Sequence, residues 1–222
     1  MDAVSIIALS MGAAWASGIN LYATLFMLGY MGASGNMTLP AELEVLTDPM
    51  VMTAAGFMYC VEFFADKIPG VDSGWDTIHT FIRIPAGAML ASSAIGDVGP
   101  AMELTTALLG GTLAAGTHTT KAGTRLLINT SPEPVTNWTA SITEDLLVIG
   151  GLWAALNHPV LFVIGLIVFI LVMIWLLPRL WRLIKHIFRR IGSWLGLCEP
   201  PPSIKEQAEH TAINQKSEST QT

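Results

Sequence analysis

"VLFVIGLIVFILVMIWLL", Val160–Leu177, decides the class of this chain, because the whole run carries no charge. A helix needs about 20 apolar residues to cross the hydrocarbon of a bilayer, and this stretch nearly supplies them alone. The rest of the chain agrees. Of its 222 residues, 52% are hydrophobic and 13% charged, where an average soluble domain carries about 25% charged residues. A deficit spread over this length points to a polytopic membrane protein rather than a soluble domain with one anchor.

Six apolar segments follow from the pattern, at about 3–33, 49–65, 74–96, 103–128, 143–157 and 159–178. The expected fold is an all-α, polytopic membrane helix bundle of about six segments with broken or re-entrant helices. The first segment is long for one span and is interrupted by "SGIN", Ser17–Asn20, where Gly18 close to Asn20 marks a break or unwound turn. The second, third and fifth have short uncharged cores, which suits buried or re-entrant helices. Asp48-Pro49 reads as an N-cap followed by proline at the first helical position. Ser73-x-x-Asp76 and Ser141-x-x-Glu144 read as capping boxes. "NTSPEPVTN", Asn129–Asn137, reads as a loop because two prolines bracket Glu133. His158, between Asn157 and Pro159, reads as a structural turn residue.

The N-terminal "MDAVSIIALSMGAAWASGIN" lacks the basic n-region of a signal peptide and reads as a membrane helix. Cys60 and Cys198 sit in unrelated contexts and suggest neither a disulfide framework nor a metal site.

Beyond Pro178 the chain reads "RLWRLIKHIFRRIGSWLG", with five of its eleven Lys and Arg between Arg179 and Arg190. Apolar and basic residues take opposite sides, so 179–197 reads as a basic amphipathic juxtamembrane helix. Its expected partners are the lipid bilayer and, over 179–190, anionic lipid headgroups. Basic residues interleaved with Trp, Leu and Ile beside a span argue against nucleic acid. The positive-inside rule puts the C-terminus in the cytoplasm of a multi-pass protein of the inner (plasma) membrane. The expected division is a transmembrane helical domain, 1–178, the basic helix, and a disordered cytoplasmic tail, 198–222.

A faint internal symmetry pairs "WASGINLYATLFMLG" with "AAGTHTTKAGTRLLIN", and "TDPMVMTAAGFMYC" with "EDLLVIGGLWAALN". Three segments per half would make two inverted three-helix repeats, a common plan of small transporters.

Charge is concentrated in "CVEFFADKIPGVDSGWDTIHTFIRIP", Cys60–Pro85. Asp72, Asp76, His79 and Arg83 fall at i, i+4, i+7 and i+11, one stripe of a helix. Glu62 and Asp66 form a second acidic pair. His118, Lys121 and Arg125, at i, i+3 and i+7, form a basic stripe. Ionisable groups in a membrane are costly, so such stripes should face one another or a wet cavity. Each has a plainer explanation too. Asp76, Glu144 and Asp145 suit helix caps, and Glu62, Asp66 and Lys67 suit a solvated loop. His118, Lys121 and Arg125 suit snorkelling at the interface, and Asn20 suits a helix–helix hydrogen bond.

"SGINLYATL", "DKIPGVDSGWDTIHTFIRIPAGAMLA" and "GGTLAAGTHTTKAGTRLLINTSPEPVTN" resemble the DUF4126 family, bacterial membrane proteins grouped as a domain of unknown function. The likeness covers about Ala13–Asp145 and leaves out the last span, the basic helix and the tail. It implies a membrane location and these motif boundaries, and brings no established activity.

Three functions compete. A small transporter would bind an anionic phosphate- or carboxylate-bearing substrate, small or lipid-linked, at Arg83, His118, Lys121, Arg125 and Asn20. Glu62, Asp66, Asp72, Asp76 and His79 would then couple protons or a cation. A magnesium-dependent transferase acting on a lipid phosphate would use the pairs Glu62/Asp66 and Asp72/Asp76, although neither DGxxAR nor NDxxD occurs. A structural membrane protein would use the stripes as helix-to-helix glue. No cofactor is called for, there is no GxSxG, HExxH, P-loop or GxGxxG pattern, and a homo-oligomer is open.

Overall fold

The computed structural model describes residues 2–68, 70–129 and 134–194, and every regular element among them is helical. In chain order these are α1 (Ala3–Ile19), α2 (Leu21–Ala33), a 3-10 turn (Ala41–Thr47), α3 (Pro49–Ala65), α4 (Val71–Ala94), α5 (Pro100–Ile128), α6 (Pro134–Asn157) and α7 (Pro159–Trp194). Four of the seven α-helices open on proline. The first position of a helix needs no N–H, and proline's fixed φ is already helical. Gly70 and Gly99, at φ 88° and 91°, make the turns into α4 and α5, a conformation that a side chain disfavours.

The break in the first segment falls on Asn20, so the segment is two helices. Asn20 is extended, and its N–H still donates to Ala16 O. Its Oδ1 accepts from Ala23 N at 2.9 Å, capping α2. One residue therefore ends one helix and starts the next.

Other boundaries move from expectation. α4 and α5 begin at Val71 and Pro100, and α6 at Pro134, so 134–137 is helix rather than loop. Proline at the first position starts α6 where two prolines had suggested none could exist; residues 130–133 lie outside the description. The Ser73 and Ser141 boxes fall inside α4 and α6 and cap nothing at a start. α7 continues through Pro178 to Trp194, so proline ends no helix there. A membrane-type helix tolerates proline when neighbouring groups re-satisfy the freed carbonyl.

The chain divides into two units, Met1–Leu180 and Trp181–Thr222. The second is described as far as Trp194, and the expected tail and Cys198 lie outside the described residues.

Within the first unit α4 packs along α5, and α1 packs against α4, α5 and α6. Contact is close. A Cβ on Gly18 would sit 2.6 Å from Ala114 O, and one on Gly87 would sit 2.8 Å from Ser17 Oγ. One part of the interior is apolar, built from Leu9, Ala13, Val148, Leu152 and Phe162. There Trp15 meets Phe162 and Phe169 edge-on, ring centroids 5.9 Å apart in each case.

Two helices, Val135–Asn157 and Pro159–His186, are long and apolar enough to cross a membrane, and both leave most of their surface exposed. Beside the apolar core, charged side chains are buried and large apolar ones exposed. Glu62, Arg83 and Arg125 are 0% exposed, while Phe81 is 82% and Met50 80% exposed.

Candidate functional site

Helical spacing puts Asp72, Asp76, His79 and Arg83 on one stripe of α4, and His118, Lys121 and Arg125 on one stripe of α5. Because α4 and α5 lie side by side, the stripes meet, and Glu62 and Asp66 at the end of α3 close over them. All are buried, so each charge needs a partner in place of water.

Arg83 lies among three helices. Its Nη2 donates to Glu62 Oε1; its Nη1 lies 3.2 Å from Asp76 Oδ1 and 3.1 Å from His118 Nδ1. An arginine can only donate, so His118 Nδ1 accepts and the ring proton is on Nε2. That Nε2 lies 3.1 Å from Asp76 O and 2.8 Å from Thr80 Oγ1. His118 is therefore the neutral tautomer.

Lys121 is the hub. Its Nζ donates to Asp66 Oδ2 at 2.9 Å and to Ile19 O at 3.0 Å. Glu62 Oε1, Glu144 Oε2 and Asp76 Oδ1 lie 3.4, 3.5 and 3.7 Å away. Ile19 O is one of the carbonyls left open where α1 stops at Asn20. Arg83 Nη1 lies 3.5 Å from Gly18 O in the same turn. The negative end of the broken helix thus meets two fixed cations, as the helix dipole favours.

Arg125 pairs bidentately with Glu144, Nε–Oε1 3.1 Å and Nη2–Oε2 2.7 Å. Its Nη1 donates to Asn137 Oδ1 at 2.6 Å and to Asp66 O at 2.9 Å. Asp72 sits next to this group, its oxygens accepting from Asn129 Nδ2 at 2.9 Å each and from the N–H groups of Gly70 and Ser73 at 2.9 and 2.6 Å.

Of the sequence candidates, Glu62, Asp66, Asp76, Arg83, His118, Lys121 and Arg125 form one connected network. His79 is set apart, stacked on Trp75 with centroids 4.3 Å apart and bonded to Tyr22 OH at 3.2 Å and Trp75 O at 2.9 Å. Asn20 makes a helix–helix bond, donating to Asp145 Oδ1 at 3.1 Å. Lys67 is buried rather than solvated. Its Nζ lies 2.9 Å from the Phe63 ring centroid and donates to Phe63 O and Ser141 Oγ.

The candidates missed the α6 side of the site, Asn137, Ser141, Glu144 and Asp145. A signal existed. Asn137, Ser141 and Glu144 are spaced i, i+4 and i+7, a polar stripe like the other two. It was hidden by placing the helix start at Ser141, which turned Glu144 into a cap. Asp76, for which a cap was the plainer alternative, lies a full turn inside α4.

The carboxylates converge on cations rather than on a common point. Among the described residues no group of three or more His, Cys, Asp or Glu side chains is arranged to hold a metal ion.

The family model described as a domain of unknown function (DUF4126) matches residues 7–179, and the chain belongs to that family. The match extends past Asp145, where the resemblance in the motifs ended, to include the last apolar span. No curated protein matches the chain, and no solved structure does.

Proposed function

We propose that this member of the DUF4126 family is a multi-pass transporter or translocase for an anionic, phosphate- or carboxylate-bearing substrate, with its binding site in the ion-pair network. The observation that carries the reading is Lys121. One ammonium has four carboxylates from α3, α4 and α6 within 3.7 Å, together with a helix-break carbonyl. A purely structural ion pair needs one partner. Four partners on three elements make a group that can exchange one of them.

In this conformation the cations are occupied by the protein's own acids. Protonating one acid removes its claim on Lys121, Arg83 or Arg125 and leaves room for an anion from outside. Substrate and proton then bind together, and the α1–α2 break supplies the element whose position both would bias. The exposed apolar surfaces of α3 to α7 support a lipid setting for this chemistry. The proposal includes a plasma-membrane location with a cytoplasmic C-terminus, anionic lipid at 179–190, and the two inverted three-helix repeats. The magnesium-transferase reading gains no support, because Glu62, Asp66 and Asp76 each face a cation.

Calorimetric titration of the detergent-purified protein with sulfate, inorganic phosphate and succinate tests this. At least one anion should bind the wild type and none should bind Lys121→Ala. Silence from all three, or equal binding to the variant, would remove the anion site.

A further inference from the structure

The buried charges of the site do not balance. Five buried carboxylates, Glu62, Asp66, Asp72, Asp76 and Asp145, with the partly exposed Glu144 as a sixth, face four buried cations, Lys67, Arg83, Lys121 and Arg125. The imidazoles do not alter the count. His118 accepts from Arg83 and is neutral, and His79 bonds a carbonyl and a hydroxyl but no carboxylate. An uncompensated buried carboxylate is costly enough that it takes up a proton instead.

Five of the six have a reason to stay ionised. Glu62, Asp66, Asp76 and Glu144 are each ion-paired. Asp72 has no cation, but its oxygens collect backbone and amide donors, the setting that favours a carboxylate. Asp145 has neither. Among the described residues it makes no ion pair, and its Oδ1 accepts from the neutral amide of Asn20 at 3.1 Å. Its Oδ2 is buried and has no partner. Glu62, Asp66 and Asp76 each have one bare oxygen as well, but their other oxygen is held by a cation.

We propose that Asp145 holds a resident proton on Oδ2 in this conformation, distinct from the proton that an ion-paired acid takes up with the anion. The groups that face it are Asn20 from the α1–α2 junction, Tyr59 and Asp66 from α3, Lys67 from the turn after α3, and Lys121 from α5. Asp66 opposes its ionisation. Lys121 is committed to Asp66 and its neighbours, and Lys67 to Phe63 and Ser141. The carboxylate takes up one proton as a carboxylic acid, and because that proton goes to Oδ2, the Asn20 bond on Oδ1 survives. Asn20 is the residue that ends α1 and caps α2, so the proton sits one hydrogen bond from the helix break.

The assignment rests on the transport reading for its purpose, but the bound proton is measurable whether or not anything is transported. Infrared spectra of the purified full chain at neutral pH should show the carbonyl stretch of a protonated carboxylic acid, shifted in heavy water. The band should be lost in Asp145→Asn. Should that variant fail to fold, Asn20→Ala should move the band by removing the donor on Oδ1. No such band in the wild type, or an unmoved band in the variants, overturns the proposal. So does loss of the band on replacing choline chloride by sodium chloride, which would make Asp145 a sodium ligand.

Discussion

The two ends of α1 lie in opposite environments. Its earlier turns, with Leu9, Ala13 and Trp15, pack into the apolar cluster with Val148, Leu152 and Phe162. Its last turn presents the carbonyls of Gly18 and Ile19 to Arg83 and Lys121. α6 divides the same way in reverse, with Asn137, Ser141, Glu144 and Asp145 early and Val148, Leu152 and Ala155 later. Apolar packing is non-directional and tolerates rearrangement at modest cost. An ionic interior is directional, and each group depends on a named partner. The bundle therefore confines directional, exchangeable contacts to one end and anchors them on a close-packed other end.

The two regions should respond differently to mutation. Arg83→Met should be the worst single change, because it leaves Glu62 and Asp76 buried beside too little positive charge. A loss of about 3–5 kcal/mol is expected for breaking a buried pair, read by denaturant unfolding in detergent. Leu152→Ala, in the apolar end, should cost about 2–5 kcal/mol by leaving a cavity. It should leave anion binding in the surviving folded protein intact, which Arg83→Met should not.

Lys121→Arg sharpens the comparison. It keeps the charge, but a planar guanidinium cannot replace a point charge among five acceptors, and the extra bulk should cost about 1–3 kcal/mol. Anion binding should be lost while the fold remains. If the network only held helices together, this variant would retain every measurable property. Phe81→Ala should be the mildest, within about 0.5 kcal/mol, because the ring faces outward. A larger loss would mean that the α4 outer face is covered by another helix, not by lipid or detergent.

Much of this was legible in the sequence. Asp48-Pro49 marked the start of α3, "SGIN" marked the break at Asn20, and helical spacing aligned the α4 and α5 stripes before any neighbour was known. Burial of a lysine and two arginines followed from the cost of facing lipid with them. What escaped depends on tertiary contact. The Gly18 and Ile19 carbonyls have no side-chain signature, so their role as acceptors appears only when α5 lies beside the break. Glu144 and Asp145 looked like caps because acids at a helix start have a sufficient local explanation. Only the ten residues of α6 before them, opened by Pro134, show that they lie mid-helix. Nothing in the sequence separates Asp145 from Glu144; the difference is that one meets Arg125 and the other meets Asn20.

The central claim is that an external anion and a proton share the place now held by internal ion pairs. Calorimetric titration of the wild type with sulfate, whose own charge is constant over the working range, tests it directly. Run in two buffers of different ionisation enthalpy, the experiment counts protons exchanged per anion bound. Binding with net proton uptake is the expected result. Sulfate binding without proton exchange would contradict it, as would an equal proton uptake in Lys121→Ala.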